Sequence, residues 1–188
     1  MKTHVGRFEK VSFDQFLNDM KNMSKDCGDI NSQEFNDKIK KIYDDIKIPK
    51  RKTYESAGYD FYLPMTMVIN QGESLLIPTG IRIKLDPGYS LDIYPRSGLG
   101  TKYKIVIANT IGVIDSDYYN SDNEGHIFIK LVYDGFSKYG ERITLNAGDR
   151  FCQGIIHEVF TVENDEENDE FIKRNGGYGS TDEIRESK

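Results

Sequence analysis

The stretch Ile81-Arg82-Ile83-Lys84-Leu85-Asp86-Pro87-Gly88-Tyr89-Ser90-Leu91-Asp92-Ile93-Tyr94 decides the fold class. Apolar and polar residues alternate from Ile81 to Leu85 and again from Ser90 to Tyr94, so each run, when extended, turns its apolar side chains to one face. Asp86-Pro87-Gly88 between them is turn chemistry, because Pro presets φ and Gly accepts the positive φ of a tight turn. Ile127-Phe128-Ile129-Lys130-Leu131 repeats the pattern, and Asn70-Gln71-Gly72, Asp134-Gly135 and Asn146-Ala147-Gly148 supply further breaks. Short strands at close spacing, with no helices between them, exclude a parallel βαβ sheet and predict an all-β sandwich or barrel from Lys47 onward.

Upstream the period is helical. Val5 to Val11 reads as a short strand. Ser12 with Gln15 three residues on has the form of a capping box, and Phe13, Phe16, Leu17, Met20 and Met23 recur at helical spacing. After the breaker Cys27-Gly28-Asp29, Asn31 with Glu34 repeats the capping pattern, and Phe35, Ile39, Ile42, Tyr43 and Ile46 mark one face of a second helix. Residues 12–46 are therefore expected to form a helical hairpin whose Met and aromatic stripe is packing surface rather than a cofactor box. Downstream, Glu163 to Glu170 carries six acids in eight residues, which repel one another and favour a solvated linker. Arg174-Asn175-Gly176-Gly177-Tyr178-Gly179-Ser180-Thr181 is too glycine-rich for a helix, and a ligand is the leading candidate to order it. The expected organisation is one β domain over 1–162 with the hairpin 12–46 inserted, an acidic linker over 163–173 and a C-terminal arm over 174–188.

Composition narrows the function. The 188 residues carry 25 Lys and Arg against 31 Asp and Glu, a formal charge of −6. Sequence-independent binding to duplex DNA draws on clustered basic charge, so no nucleic-acid partner is expected, whereas a small phosphorylated ligand is compatible. No run approaches the ~20 apolar residues of a spanning helix, and Met1 to Arg7 has no apolar stretch behind it. The expectation is a cytoplasmic protein without a membrane partner, working in the host cytoplasm if a phage encodes it. Cys27 and Cys152 lack CxxC spacing and read as reduced thiols, and His4, His126 and His157 are scattered singly, so no transition-metal site is predicted. Hydrophobic residues make up 37% of the chain, so the core is either lean or completed by other subunits.

Five segments carry chemistry. In Pro95-Arg96-Ser97-Gly98-Leu99-Gly100-Thr101-Lys102, glycines beside a hydroxyl and two cations let main-chain N–H groups and a forked guanidinium approach phosphate oxygens. Arg174 to Thr181 has the same ingredients plus Tyr178, and two such loops far apart in sequence favour a polyphosphate. Gly112-Val113-Ile114-Asp115-Ser116-Asp117-Tyr118 follows the apolar run Ile105 to Ala108. An ionised carboxylate held at the end of a buried strand can take a proton from attacking water, and Tyr118 offers a flat face for a sugar or base. Gly148-Asp149-Arg150-Phe151-Cys152-Gln153-Gly154 enters the last strong strand, with Arg150 expected in a surface ion pair. In Ala57-Gly58-Tyr59-Asp60-Phe61 the carboxylate sits between aromatics in a strand and needs a partner, because unpaired burial is expensive. Each segment taken alone also reads as an ordinary turn or strand end.

Taken in order, the five segments resemble those of the trimeric dUTPase family, the dUTP diphosphatases, whose motifs read AGYDL, PRSGLA, GxIDSDY, GDRxAQ and RGGFGSTG. The resemblance spans about residues 50 to 182, with the third and fifth motifs carrying most of its specificity, and it leaves the hairpin 12–46 as an insertion outside the shared core. It implies a jelly-roll subunit, a distorted β-barrel or sandwich, and a homotrimer whose three active sites are each built from several chains. The substrate it implies is dUTP, hydrolysed to dUMP and diphosphate, which clears dUTP and supplies the dTMP precursor.

The residue roles follow motif by motif. Asp115 matches the general base that activates water against the α-phosphorus, and Tyr118 the ring beneath the deoxyribose. Asn109, Gly112, Val113 and Ile114 match the nucleoside pocket, with the base read by a β-hairpin from Gly125 through Lys130 that includes Phe128. Arg96, Ser97, Gly98 and Gln153 match phosphate contacts. Asp60 matches the carboxylate that helps place Mg²⁺ through water, the ion being held mainly by the triphosphate. The C-terminal arm would close over a neighbouring site, with Tyr178 stacked on uracil and Arg174, Gly177, Gly179 and Ser180 at the nucleotide.

The sequence departs from the family pattern at Tyr178 (usually Phe), at Asp182 (often Gly), at Cys152-Gln153-Gly154 (commonly Ala-Gln-Leu) and in a longer link from Tyr119 to Glu124. Two rival readings remain. A dCTP deaminase shares the fold and would need a glutamate acid/base at the pyrimidine, for which Glu124 lies nearest. A regulatory module would use residues 12–46 to dock a protein partner.

Overall fold

A computed structural model describes residues 4–25, 28–134 and 140–167. The order is β1 (Gly6–Lys10), α1 (Phe13–Met23), α2 (Gln33–Asp45), β2 (Tyr59–Tyr62), β3 (Met67–Asn70), β4 (Ser74–Pro78), β5 (Ile81–Leu85), β6 (Tyr89–Pro95), β7 (Ile105–Ile107), β8 (Gly112–Asp115), β9 (Phe128–Tyr133), β10 (Arg142–Leu145) and β11 (Arg150–Glu158). A π-helical turn over Gly98–Tyr103 and a 3₁₀ turn over Ser116–Asn120 fill the spaces beside β7 and β8. The body is all-β, as expected, and its sheets are open and antiparallel. The four-stranded sheet runs β2-β11-β6-β8, a three-stranded sheet runs β4-β9-β7, and β1-β5 and β10-β3 form pairs.

The alternation behind the fold assignment is realised directly. Ile81, Ile83 and Leu85 are buried on β5 while Lys84 is exposed. Gly72, Gly88 and Gly148 take positive φ at the expected turns, and Pro78 and Pro95 fall at strand ends, where a missing N–H costs least. Ile77, Ile81, Leu91, Ile93, Ile105, Leu131 and Phe151 form one buried cluster with Phe16, Met20 and Ile39 of the two helices.

The hairpin 12–46 is two helices packed on each other, with the Phe13 and Tyr43 rings edge to face at 5.5 Å. Most of its stripe is turned inward as packing surface, with Phe16, Met20, Ile39 and Ile46 buried, whereas Met23 at the end of α1 is exposed. The caps differ from expectation. Ser12 does cap α1, accepting from Gln15 N at 3.1 Å, but Gln15 does not reach back; its amide donates to Asp19 at 2.9 Å. The reciprocal bond comes instead from Glu124, whose carboxylate accepts from Ser12 N at 2.8 Å and Ser12 Oγ at 2.7 Å. At α2 the cap is Ser32, accepting from Phe35 N, while Asn31 N donates to Asp29 in the preceding turn. A serine one residue later wins because its hydroxyl faces the first free N–H groups of the helix.

The acidic run opens with a 3₁₀ turn over Glu163–Glu167. The link Tyr119 to Glu124 is a fastening point. Arg82 lies over the Tyr119 ring at 3.6 Å, Tyr119 Oη donates to Glu9 at 2.8 Å, and Arg82 reaches Glu124 at 3.5 Å. Burial raises the Glu124 carboxyl, but the two Ser12 bonds and Arg82 outweigh it and hold the group below its ordinary value. Among the described residues no helix is long and apolar enough to cross a membrane.

Candidate active site

Strand β8 is antiparallel to β6, and β9 to β7, so the sharp connection between β7 and β8 opens a cleft where two sheets part. Thr110 takes φ +64° there, and its N–H bonds Ile107 O at 3.0 Å. The resulting pocket, about 130 Å³, is lined by Asn109, Gly112, Val113, Ile114, Tyr118 and Phe128, with Ile93, Ile107, Ile129 and Lys130 completing it. Tyr118 is buried at 6% exposure, and its hydroxyl donates to His126 O at 2.9 Å while accepting from Asn123 Nδ2 at 3.0 Å. With the hydroxyl so engaged, the ring presents a fixed wall. Asp115 ends β8 opposite Ser90 and is exposed in the single chain, not enclosed at the end of a buried strand. The expected hairpin from Gly125 through Lys130 does not form. Gly125 closes a turn at φ +71°, and Phe128 opens β9 opposite Pro78. A side chain at Gly125 would stand 2.7 Å from Tyr119 Cα, so the turn holds the main chain beneath Tyr118 closely.

The second cluster lies at the other end of β6. Asp60, 8% exposed, accepts from Arg150 Nη1 at 2.9 Å and pairs with Arg96 Nε at 3.3 Å. The partner that a buried carboxylate requires is thus two arginines, and Arg150 is a half-buried bridge rather than a surface one. Gln153 faces Asp60 across β2 and β11, and its side chain lies over Gly58, where an added Cβ would come within 2.6 Å of Oε1. Ser97 and Gly98 are exposed at the opening of the π-helical turn, with Arg96 O accepting from Leu99 N and Gly100 N. Cations, a hydroxyl, a carboxamide and exposed main chain therefore converge here, a donor set suited to phosphate.

These residues belong to segments that a family comparison matches together. The family model described as dUTPase matches residues 44–182. The chain belongs to the dUTPase family. It is 42% identical over 137 residues to the deoxyuridine 5'-triphosphate nucleotidohydrolase of Lactococcus lactis, covering 72% of this chain and 88% of that one. To the enzyme of the same name from Finegoldia magna it is 38% identical over 138 residues, covering 71% and 90%. The crystal structure of dUTPase from Streptococcus mutans superposes with a TM-score of 0.57 at 34% identity, covering 64% of this chain and 91% of that one. The matched span begins at residue 44, so α1 precedes it entirely and α2 almost entirely.

Within this dUTPase chain the expected site residues fall into two groups. Asn109, Gly112, Val113, Ile114, Tyr118 and Phe128 share one pocket; Asp60, Arg96 and Gln153 share one strand end. Asp115 faces Ser90, whereas Cys152 faces Pro95. Those positions stand five residue steps apart along β6, about 17 Å at the usual strand rise. Arg174, Gly177, Tyr178, Gly179, Ser180 and Asp182 lie outside the described residues, as does Cys27. Sequence reading missed the Asp60–Arg150 bridge and the place of Lys130 at the pocket. The bridge had a signal, a carboxylate and a guanidinium at the starts of two strands, but nothing local tells which strands pair.

Proposed function

We propose that the chain hydrolyses dUTP to dUMP and diphosphate. The observation that carries this reading is the pocket walled by Tyr118 and Phe128, with Asp115 ending the strand that forms its side. Asn109 and the main chain of the β7–β8 connection offer polar groups to the pyrimidine, a role the absent hairpin at 125–130 does not fill. The fixed Tyr118 ring leaves no space for a 2′-hydroxyl on the sugar. Asp115 takes a proton from water as its oxygen attacks the α-phosphorus; the bond from that phosphorus to the bridging oxygen breaks, and diphosphate leaves. Arg96, Ser97, Gly98 and Gln153 meet phosphate oxygens and neutralise their charge.

Asp60 uses two of about four carboxylate acceptor sites on its arginines, which leaves capacity for a metal-bound water. Among the described residues no three His, Cys, Asp or Glu stand together as a metal cage. That donor set fits Mg²⁺ brought on the triphosphate, where it would withdraw charge from the phosphates.

The separation along β6 supports a homotrimer with shared sites, since the base of one subunit and the phosphate cluster of another can meet where those of one chain cannot. Val106 and Ile111, exposed apolar residues next in sequence to the pocket-lining Ile107 and Gly112, suit such a contact. The arm 174–188, joined through 163–173, would close over a neighbouring site with Tyr178 on uracil. The enzyme would act on the free nucleotide pool of the cytoplasm.

A dCTP deaminase would need Glu124 in the pocket. Both Glu124 oxygens are instead bonded to Ser12, and the residue does not line the cavity. Incubation of the protein with each deoxynucleoside triphosphate and Mg²⁺, followed by product analysis, tests the reading. Diphosphate and dUMP from dUTP are expected; ammonia from dCTP would overturn it.

A further inference from the structure

Behind the pocket lies a buried contact between the inserted hairpin and the nucleoside wall. His126 is fully buried, and its Nε2 accepts from Gly80 N at 2.8 Å. An accepting Nε2 carries no proton, so the imidazole is the neutral Nδ1–H tautomer. That Nδ1–H donates to Asp19 Oδ2 on α1 at 2.6 Å, and the same oxygen accepts from Gln15 Nε2. The His126 ring lies 4.3 Å from the Phe128 ring, and His126 O holds the hydroxyl of Tyr118. One residue thus touches both aromatic walls of the pocket, and its orientation rests on a carboxylate from outside the span shared with the family.

The geometry points to Asp19 as a positioning residue for substrate selection: through His126 it fixes the two rings that receive the deoxynucleoside. It reaches no substrate atom. Without its acceptor the buried Nδ1–H is left unsatisfied, and the imidazole relieves this only by turning, which gives up the Gly80 bond and its packing on Phe128. A loosened Tyr118 and Phe128 widen the sugar site, so the cost falls on binding and on rejection of the ribonucleotide rather than on proton transfer at Asp115. This rests on the dUTP reading above.

The test compares the full-length enzyme with Asp19→Ala, Asp19→Asn and Asp14→Ala, the last on the exposed face of the same helix. Asp19→Ala should raise KM for dUTP about tenfold with kcat within about twofold, and narrow the kcat/KM preference for dUTP over UTP about tenfold. Asp19→Asn, whose amide oxygen still accepts from Nδ1–H, should restore the preference, and Asp14→Ala should match wild type. An unchanged KM and dUTP-to-UTP ratio in Asp19→Ala overturns the proposal, whatever happens to its melting temperature. Nitrogen-15 NMR of histidine in the wild-type protein gives a readout free of turnover: Nδ1–H is expected for His126, and Nε2–H would refute the link. A wild-type enzyme that left dUTP intact would sink the functional reading alone, because the tautomer and the Tyr118 and Phe128 ring shifts on Asp19→Ala still judge the Asp19 contact.

Discussion

Replacing Asp60 by Asn asks whether the doubly paired carboxylate organises the phosphate end of the site. The wild-type group holds Arg150 at 2.9 Å and Arg96 at 3.3 Å with the aspartate 8% exposed. An amide oxygen can still accept from one guanidinium, but its NH₂ faces the other and the neutralising charge is gone. Breaking a fully buried pair costs about 3–5 kcal/mol, and a surface pair at most about 1 kcal/mol. The side chains of Arg96 and Arg150 are 35% and 27% exposed, so water partly compensates them. An intermediate loss of about 1–2 kcal/mol is expected. Urea unfolding at fixed protein concentration, followed by circular dichroism because the chain has no Trp, measures it. A double-mutant cycle with Arg150→Met isolates the pair, and its coupling should exceed about 0.5 kcal/mol. Diphosphate release should fall in parallel, chiefly through KM, as Arg96 loses its orientation. A coupling indistinguishable from zero together with unchanged kcat/KM would refute the reasoning.

Asp115→Asn should retain dUTP binding while kcat falls by about two to four orders of magnitude, seen in diphosphate release and in titration with a non-hydrolysable dUTP analogue. Near-normal turnover would remove the base assignment. Truncation before Arg174 should leave a folded trimer by sedimentation with very low activity; full activity would show that the arm is not part of the site. Glu124 and Glu9 both ionise below the ordinary 4.5 when folded, so their contribution is complete above that value and is lost as pH falls through the lower folded one. Wild type should therefore lose stability below about pH 4.5 more steeply than Glu124→Gln, measured by urea midpoints across pH, and parallel curves would contradict a stabilising role for the Glu124 contacts to Ser12 and Arg82.

The all-β body and the helical nature of residues 12–46 were legible in the chain itself. Each depends on local terms: the period of two from Ile81 to Leu85, the period near 3.6 from Phe13 to Met23, and turn glycines such as Gly88. Motif order then brought Asn109, Gly112, Val113, Ile114 and Tyr118 together as one group, and the structure places them around one cavity. The hairpin that the resemblance placed at 125–130 is absent because Phe128 to Lys130 open β9, whose partners are β4 and β7.

What tertiary structure alone decided is which distant groups satisfy one another. Ser12 finds its cap at Glu124, 112 residues away, Asp60 finds Arg150 across 90, and Asp19 finds His126 across 107. A buried polar atom announces in sequence that it needs a partner, but any oppositely suited side chain can serve, and only strand pairing and packing select one. The same holds for the distance between Asp115 and the cluster around Asp60 and Arg96: the residues were readable one by one, and the strand β6 that keeps them apart within the chain emerged only from its register with β8 and β11.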